Sequence, residues 1–205
     1  MARTLIVGDV HGCADELQRL LAAASADRVI LVGDLFTKGP DPAGVWELIV
    51  AHGCEAVLGN HDAWLLEHWE DRSGPLGELG LAARRYLEGL PLFLLEPGLI
   101  VVHAGLHPRL GVGGTRRWMA LNLRRWPDDR SSSAPYWYDA GWRGPQTVVF
   151  GHDARRKRVR REHEGRPVAV GLDSGCVYGG ELSGWLVEDD ALFVEPAARV
   201  YKPVG

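Results

Sequence analysis

The sequence LIVGDVHG at residues 5–12 determines how the rest of the chain is interpreted. Its apolar half, Leu5–Val7, predicts a buried strand, and the GDVHG segment after it predicts a loop that leads into an amphipathic helix. The same order returns twice, because VILV at 29–32 leads into GDLFTKGP at 33–40 and AVL at 56–58 leads into GNHD at 59–62. Three strand–loop–helix units in succession predict a parallel sheet with right-handed crossovers.

The remainder of the chain continues this pattern and then becomes rich in strands. In the second unit, Asp41 and Pro42 predict the start of a helix and Gly53 its end. Beyond the third unit we expect one helix over residues 76–89 and an irregular or helical cap over residues 106–146. Strands are predicted at residues 92–95 and 99–102, which form a hairpin, and at 147–150, 167–170, 181–187 and 191–194. The expected fold class is α/β, with β-sheets flanked by helices in a single domain over residues 1–205.

The composition limits the classes of function. With 205 residues, 46% hydrophobic and 24% charged, the chain is suited to one globular domain with a substantial core. A net charge of -4 disfavours nucleic acid as a partner. The three cysteines have no C-x-x-C spacing, which argues against a disulfide framework or a zinc knuckle. Since there is no signal-like start and no apolar run of about 20 residues, we expect no membrane partner and a cytoplasmic location.

Polar side chains follow the predicted strands at the point where each strand ends. Ligands of parallel sheets sit beyond the carboxyl ends of the strands, so these side chains are expected to converge on one site. They combine carboxylates, imidazoles and one amide, which suits manganese first and iron, cobalt, zinc or nickel as alternatives. Six ligands are too many for one ion with open positions, but they suit two ions that share a carboxylate. The six are Asp9, His11, Asp34, Asn60, His103 and His152.

The order of these blocks resembles that of the calcineurin-like metallophosphoesterases. The resemblance covers residues 5–180 and is strongest to the branch that contains phosphoprotein phosphatases and symmetrical diadenosine tetraphosphatases. The segments LGNHD at 58–62, VHAGL at 102–106 and LDSGCVYGG at 172–180 are similar to the tetraphosphatase pattern. The resemblance implies the four-layer sandwich of that family and a dinuclear metal centre. It also implies hydrolysis of a small phosphorylated substrate, preferably a dinucleoside polyphosphate, by metal-bound hydroxide.

The resemblance also implies a role for individual residues. Asp9, His11 and Asp34 would bind the first ion, and Asp34 would bridge to a second ion held by Asn60, His103 and His152. His61 would donate a proton to the leaving oxygen as general acid. Lys38 and Asn60 would contact the substrate, although the family usually has an arginine at the lysine position, with a bidentate grip that lysine lacks. A further phosphate-binding arginine is expected between the last two histidine blocks; Arg143 is taken forward, and Arg116, Arg117, Arg124 and Arg125 remain candidates.

Thr37 departs from the phosphoprotein phosphatases, which place an aspartate there to raise the pKa of the general-acid histidine. This departure favours a dinucleotide over a phosphoprotein. A serine/threonine protein phosphatase nevertheless remains the main alternative. An RNA end-healing phosphatase is a third, because residues 9–17 also resemble such modules. A catalytically inactive binding scaffold is the alternative of another class, but the presence of all six ligand positions and of His61 argues against it.

Two further features each allow two interpretations. The basic run at residues 155–161 either forms a wall near the site or is a solvated hairpin paired with Glu162 and Glu164; the hairpin is preferred. The aromatic residues of the cap either stack on a nucleobase or form the core of the cap. These aromatic residues are Trp118, Trp126, Tyr136, Trp137, Tyr138 and Trp142.

Overall fold

The three predicted units form the parallel centre of the first of two sheets. The structure is a computed structural model that describes residues 2–203. The units are β1 (Thr4–Val7), α1 (Ala14–Ala24), β2 (Arg28–Leu31), α2 (Pro42–His52), β3 (Glu55–Ala56) and α3 (Asn60–Glu67). β1 pairs in parallel with β2, and β2 with β3, as predicted. The Asp41 side chain accepts a hydrogen bond from the Gly44 amide at 2.8 Å, and α2 ends at Gly53 in the left-handed conformation, so both predicted helix signals are confirmed.

The second sheet is built mainly from the middle of the chain. Its elements and those that complete the first sheet are α4 (Leu81–Gly89), β4 (Phe93–Glu96), β5 (Leu99–Val102), α5 (Arg117–Asn122), β6 (Thr147–Phe150), β7 (Val159–His163), β8 (Arg166–Gly171), β9 (Glu181–Leu186) and β10 (Ala191–Pro196). The strand orders are β10-β9-β1-β2-β3 and β4-β5-β6-β8-β7. The predicted hairpin is β4 and β5, which pair antiparallel.

The two sheets pack face to face and are covered on their outer faces. Apolar side chains of both sheets, among them Ile6, Ile30, Val101 and Val149, form a shared buried cluster between them. A second cluster joins the first sheet to its helices, and a third joins the second sheet to the cap. β1 is buried along its whole length because it lies in the middle of its sheet and both faces are covered. The α/β fold with helix-flanked sheets is thus confirmed.

Several predicted strand ends differ from the structure by one or two residues, and two predicted elements differ in kind or regularity. The helix expected over residues 76–89 is a 3-10 turn at Gly74–Glu78 and then α4, because Gly80 adopts an extended conformation between them. The strand expected over residues 56–58 is regular only at Glu55–Ala56, although the Val57 amide still bonds to the Leu31 carbonyl at 3.1 Å. The basic run was expected to form a hairpin, and the antiparallel pairing of β7 with β8 is that hairpin.

The cap contains one short α-helix, α5, and is otherwise irregular, as predicted. Within residues 2–203, no helix is long and apolar enough to cross a bilayer. The predicted cytoplasmic location stays a prediction.

Candidate metal centre

The six predicted ligands come together at one edge of the two-sheet core. The first sheet supplies Asp9 and His11 from the loop after β1, and Asp34 from the loop after β2. Asn60 is the first residue of α3. The second sheet supplies His103 directly after β5 and His152 two residues after β6. The site therefore lies where the carboxyl ends of strands from both sheets meet.

Asp34 lies in the middle of this site. Its Oδ2 is 3.5 Å from Nε2 of His11, and its Oδ1 is 3.5 Å from Nε2 of His103. The possible ligand atoms of His11, Asp34 and His61 all lie within 4.8 Å of one another, and the same holds for Asp9, Asp34 and His103. Asp34 therefore belongs to both groups. The two oxygens of one carboxylate thus face different imidazoles, which is the arrangement needed by a carboxylate that bridges two ions.

The amide of Asn60 lies among the ligands of the second sheet. Its Oδ1 is 2.9 Å from Nε2 of His103 and 3.0 Å from Nδ1 of His152. The rings of these two histidines are 5.0 Å apart. One amide oxygen and two imidazole nitrogens therefore converge on the side of Asp34 that faces the second sheet.

Residues behind the ligands hold them in position. The buried Asp62 accepts hydrogen bonds from the amides of Asp34, at 2.7 Å, and of Leu35 and Gly59. The Nδ1 atom of His103 lies 2.9 Å from the Val32 carbonyl, a contact that orients the ring and leaves Nε2 toward the site. From the sequence, Asp62 was predicted only to open a helix. Asp62 lies three residues after Gly59, the N-cap of α3, which has no side chain. This position could have predicted that the Asp62 carboxylate accepts a hydrogen bond from the Gly59 amide.

Thr37 contacts one of the predicted metal ligands. Its Oγ1 lies 3.2 Å from Nδ1 of His11, so this hydroxyl orients a predicted metal ligand. Within residues 2–203, no carboxylate forms a hydrogen bond with the His61 imidazole. The absence of an aspartate at this position thus leaves His61 without the acidic partner described for the protein phosphatases.

The backbone of the site is strained at the functional positions. His11, Asp34, Lys38 and His152 have φ angles of 47°, 56°, 71° and 74°, in the left-handed region that residues other than glycine rarely adopt. Such conformations persist only where the surrounding structure enforces them, and they concentrate at functional sites. Gly151 has a related role, because a Cβ atom there would lie 1.9 Å from Oδ1 of Asp9. Only glycine allows the strand end to approach the carboxylate this closely.

Burial controls the charge of the ligands. It raises the pKa of Asp34 and of the nearby Asp173 to about 7 and raises the pKa of Asp9 well above its usual value, with neighbouring carboxylates adding to the effect at Asp9 and Asp173. Burial also lowers the pKa of His103 to about 4 and lowers the pKa of His11 and His152 well below its usual range. The imidazoles are therefore neutral at pH 7, and their lone pairs are free to bind a cation.

These residues fit a pair of divalent cations. The donors are oxygen and nitrogen atoms of the kinds that bind manganese, iron or zinc, with no thiolate among them. The desolvated carboxylates destabilise one another, and a bound cation would supply the opposite charge that they lack. The donor atoms and the electrostatics of the site therefore both favour the binding of divalent cations.

A cavity of about 630 Å³ opens in front of the ligands. His61 lines it, with its ring 5.1 Å from that of His11, and burial together with the charge of Lys38 lowers the pKa of His61 to about 4. Lys38 also lines the cavity, and its Nζ lies 3.0 Å from Nε2 of His11. Other polar lining residues are Arg124, Asp153, Arg155, Lys157, Asp173 and Ser174.

Arg143 is not among the residues that line the cavity. It is exposed, and its Nη1 donates to the Trp142 carbonyl at 2.6 Å. Arg124, one of the other candidates, has the position that was expected of Arg143. The sequence offered no means of choosing between them, because the irregular cap has no periodicity from which side-chain direction could be inferred.

The basic run divides between two environments. Arg155 and Lys157 line the cavity, as the wall interpretation expected. Arg158, Arg160 and Arg161 instead bond to carboxylates on the surface. The hairpin interpretation therefore holds for the strand itself, and the wall interpretation for the loop before it.

The cap aromatic residues divide as well. Trp137, Tyr138 and Trp142 are buried in the apolar cluster of the cap, and Trp137 Nε1 donates to the Ala104 carbonyl at 3.0 Å. Trp118 is 53% exposed. Trp126 packs against His107, with ring centroids 4.4 Å apart. For the buried three, the structure supports the core interpretation.

The fold and the site define a metallohydrolase, in which two sheets present a buried carboxylate–imidazole centre to an open cavity. The sequence pattern of the calcineurin-like phosphoesterases matches residues 2–189, and the chain belongs to this family. It is a phosphohydrolase of the calcineurin-like type. Membership of the family implies divalent metal ions, in agreement with the residues present.

Two named relatives and one solved structure share most of their length with the chain. The symmetrical bis(5'-nucleosyl)-tetraphosphatase of Erwinia tasmaniensis is 29% identical, over 96% of this chain and 98% of the relative. The protein of that name from Bordetella pertussis is 28% identical, over 97% of each chain. The crystal structure of a proposed diadenosine tetraphosphatase is 38% identical with a TM-score of 0.85, over 96% of this chain and 94% of that one.

A more distant likeness concerns the fold alone. A serine/threonine phosphatase from Saccharomyces cerevisiae is 17% identical with a TM-score of 0.62. The named relatives differ from the chain in another respect, because the match to the Erwinia protein extends over 275 residues while this chain has 205. That relative therefore carries additional segments within the shared fold.

Proposed function

We propose that this protein hydrolyses dinucleoside polyphosphates, with symmetrical cleavage of diadenosine tetraphosphate to two diphosphates as the reference reaction. The observation that carries the proposal is the position of Asp34 between two sets of neutral imidazoles at the floor of a cavity with basic walls. The names of the relatives at 28–29% identity and of the solved structure at 38% identity support this substrate.

The metal ligands are proposed as two sets. Asp9 and His11 belong to one set, Asn60, His103 and His152 to the other, and Asp34 is common to both. We propose manganese as the physiological metal, since mixed oxygen and nitrogen donors without thiolate suit it. When bound, two such ions would bind the phosphate and lower the pKa of a water molecule that attacks phosphorus.

The remaining residues act on the substrate. We propose that Lys38 and Arg124, which line the cavity, bind the phosphate oxygens, and that Asn60, which lines the same cavity, also contacts the substrate. His61 lines the cavity with its ring 5.1 Å from that of His11, and this position is what supports its proposed role as the group that donates a proton to the leaving oxygen. Its lowered pKa does not add to that support, because the free imidazole is neutral at pH 7. Arg124 replaces Arg143 in this proposal because it lines the cavity.

The alternative substrate is a phosphoprotein. The distant likeness to a protein phosphatase concerns only the fold, and Thr37 bonds to His11 rather than supplying an acidic partner to His61. The structure therefore offers no specific feature that favours a phosphoprotein.

The test is a comparison of three substrates with manganese and with chelator. Diadenosine tetraphosphate, a phosphothreonine peptide and nitrophenyl phosphate are incubated with the protein, and products are separated by ion-exchange chromatography. We expect metal-dependent formation of two diphosphates from the dinucleotide. Turnover of the peptide without turnover of the dinucleotide would favour the protein phosphatase alternative. Absence of turnover for all three substrates would favour the catalytically inactive scaffold.

A further inference from the structure

A second cavity, of about 230 Å³, adjoins the first in the cap. Arg124 and Arg155 line both cavities and thus form a shared wall between them. Asp153 forms a hydrogen bond with Arg155, whose Nε lies 2.8 Å from its Oδ1, and a longer ion pair with Arg124, whose Nε lies 3.8 Å from the same oxygen. The other charged residues that line the second cavity are Arg125, Asp129 and Arg130. Four arginines thus converge beside the candidate metal centre, with one carboxylate among them.

Two of the four arginines of this second cavity, Arg125 and Arg130, keep a charge that no ion pair compensates among the described residues. Within residues 2–203, neither the guanidinium of Arg125 nor that of Arg130 pairs with a carboxylate. The one lining carboxylate, Asp129, accepts hydrogen bonds from the backbone amides of Arg124 and Arg125, the latter at 2.7 Å. It therefore organises the loop and does not neutralise a particular side chain. Arginines elsewhere on the surface differ, because Arg160 and Arg161 are each bonded to carboxylates.

Arg125 is held in a fixed orientation without losing its charge. Its guanidinium lies 4.3 Å from the centroid of the Tyr136 ring, and Nη1 bonds to the Ala134 carbonyl. Arg156 lies 4.6 Å from the same centroid. Cations packed on an aromatic face keep their net charge while their mobility falls. A guanidinium that is held in a fixed orientation binds two oxygens of a phosphate group with two of its N–H groups.

We infer that the second cavity is a subsite for the part of the substrate beyond the scissile phosphate, namely the remaining phosphates of a linear polyphosphate chain. This inference rests on the proposed function and extends it, since it assigns residues that lie outside the family motifs. A phosphate held at the metal centre places its neighbours along the shared wall of Arg124 and Arg155. The next phosphates then reach Arg125 and Arg130. A monoester has no such extension and does not use the subsite.

The test uses inhibition by inorganic phosphates, so that it does not depend on dinucleotide turnover. Hydrolysis of nitrophenyl phosphate is measured with tripolyphosphate or with orthophosphate as the competing anion, at constant free manganese. Arg130→Ala is the main variant because Arg130 is exposed and, within residues 2–203, its side chain forms no hydrogen bond or ion pair. Arg130→Lys retains the charge. The matched control is Arg117→Ala, which removes an exposed arginine of the same cap that lines neither cavity.

We expect Arg130→Ala to raise the inhibition constant of tripolyphosphate roughly 5- to 10-fold, as for one solvent-exposed contact, which is weaker than a buried charge-assisted hydrogen bond. Its inhibition constant for orthophosphate and its turnover of nitrophenyl phosphate should stay within about twofold of wild type, and Arg130→Lys should recover part of the loss. The KM for diadenosine tetraphosphate should rise by a similar factor. An equal change for both anions, or an equal change in Arg117→Ala, would overturn the subsite.

The two proposals fail in different ways. If tripolyphosphate inhibition depends on Arg130 but the dinucleotide is not cleaved, the subsite stands and the proposed dinucleotide substrate is wrong. If the dinucleotide is cleaved and Arg130→Ala changes neither KM nor tripolyphosphate inhibition, the subsite is wrong and the proposed function stands.

Discussion

The metal centre and strand β7 both contain several ionisable side chains, but their surroundings differ. In the centre, Asp9, Asp34, His11 and His103 are buried, and the backbone of His11 and Asp34 is in the left-handed region. Among the described residues, no lysine or arginine forms an ion pair with either carboxylate. In β7, Arg160 is 40% exposed in a regular strand, and it bonds to Glu162 and Asp190 at 2.8 Å. The carboxylates of the centre are desolvated and lack an ion-pair partner among the described residues, whereas Arg160 is solvated and paired.

The comparison teaches that burial without a partner, rather than the number of charges, marks a functional cluster. Exposed ion pairs contribute roughly 0–1 kcal/mol because water already solvates both groups. Burial without a cation favours the protonated form of a carboxyl group, and this desolvation raises the pKa of Asp34 to about 7. Changes in the centre should therefore have large effects on activity, and changes in β7 almost none.

The largest effect is expected for Asp34→Asn, which removes the carboxylate that is common to both sets of ligands. We expect metal-dependent activity to fall to the level of chelated wild type. Manganese at 100 times its Kd should stabilise the wild type by about 2.7 kcal/mol, a shift of roughly 5–10 °C in Tm, and the variant far less. Thermal unfolding with and without manganese measures this directly. Asp190→Asn is the control, and a manganese shift of wild-type size in Asp34→Asn would contradict the assignment.

A smaller loss is expected for His61→Ala, by roughly 10²- to 10⁴-fold if His61 is the general acid. A general acid matters most when the leaving group is poor. The loss should therefore be larger for phenyl phosphate than for nitrophenyl phosphate, as measured by kcat/KM for both substrates. His68→Ala, which changes a histidine at the other end of α3, should leave both rates near those of wild type. Equal losses on the two substrates would assign His61 to binding rather than to proton transfer.

Asp62→Asn should cost less again, roughly 10- to 100-fold in activity or metal affinity, because Asp62 supports the ligands and does not touch the cavity. Its two oxygens accept three backbone hydrogen bonds, and an amide would place an N–H group opposite at least one of those N–H donors. A titration with manganese, followed by activity, measures the change in apparent affinity. An unchanged affinity would show that Asp34 keeps its position without Asp62.

The smallest effect is expected for Arg160→Ala in β7. Activity should stay within about twofold of wild type, and the free energy of unfolding should change by roughly 0–1 kcal/mol, because both ion pairs of Arg160 are exposed. Denaturant unfolding and dinucleotide hydrolysis measure the two quantities. A tenfold loss of activity would remove the distinction between the two regions.

The sequence predicted the parts of the fold in which local and long-range preferences agree. The three strand–loop–helix units, the cap of α2 at Asp41 and the β4–β5 hairpin follow from apolar periodicity and turn residues, which act over a few positions. The prediction failed where a local pattern was compatible with two structures. Gly80 separates a 3-10 turn from α4, and apolar spacing alone did not distinguish this from one continuous helix.

For the site, the sequence alone determined which residue types follow the strand ends, because strand–loop–helix units bring their loops to one edge of a sheet. It therefore predicted that Asp9, Asp34 and His103 would converge. Only the tertiary structure decided which cap arginine reaches the cavity, that Thr37 orients His11, and that Asp62 holds the Asp34 loop. The direction of a side chain in irregular segments, and the partner of a buried polar group, depend on packing between residues far apart in the chain. No local pattern in the sequence records that packing.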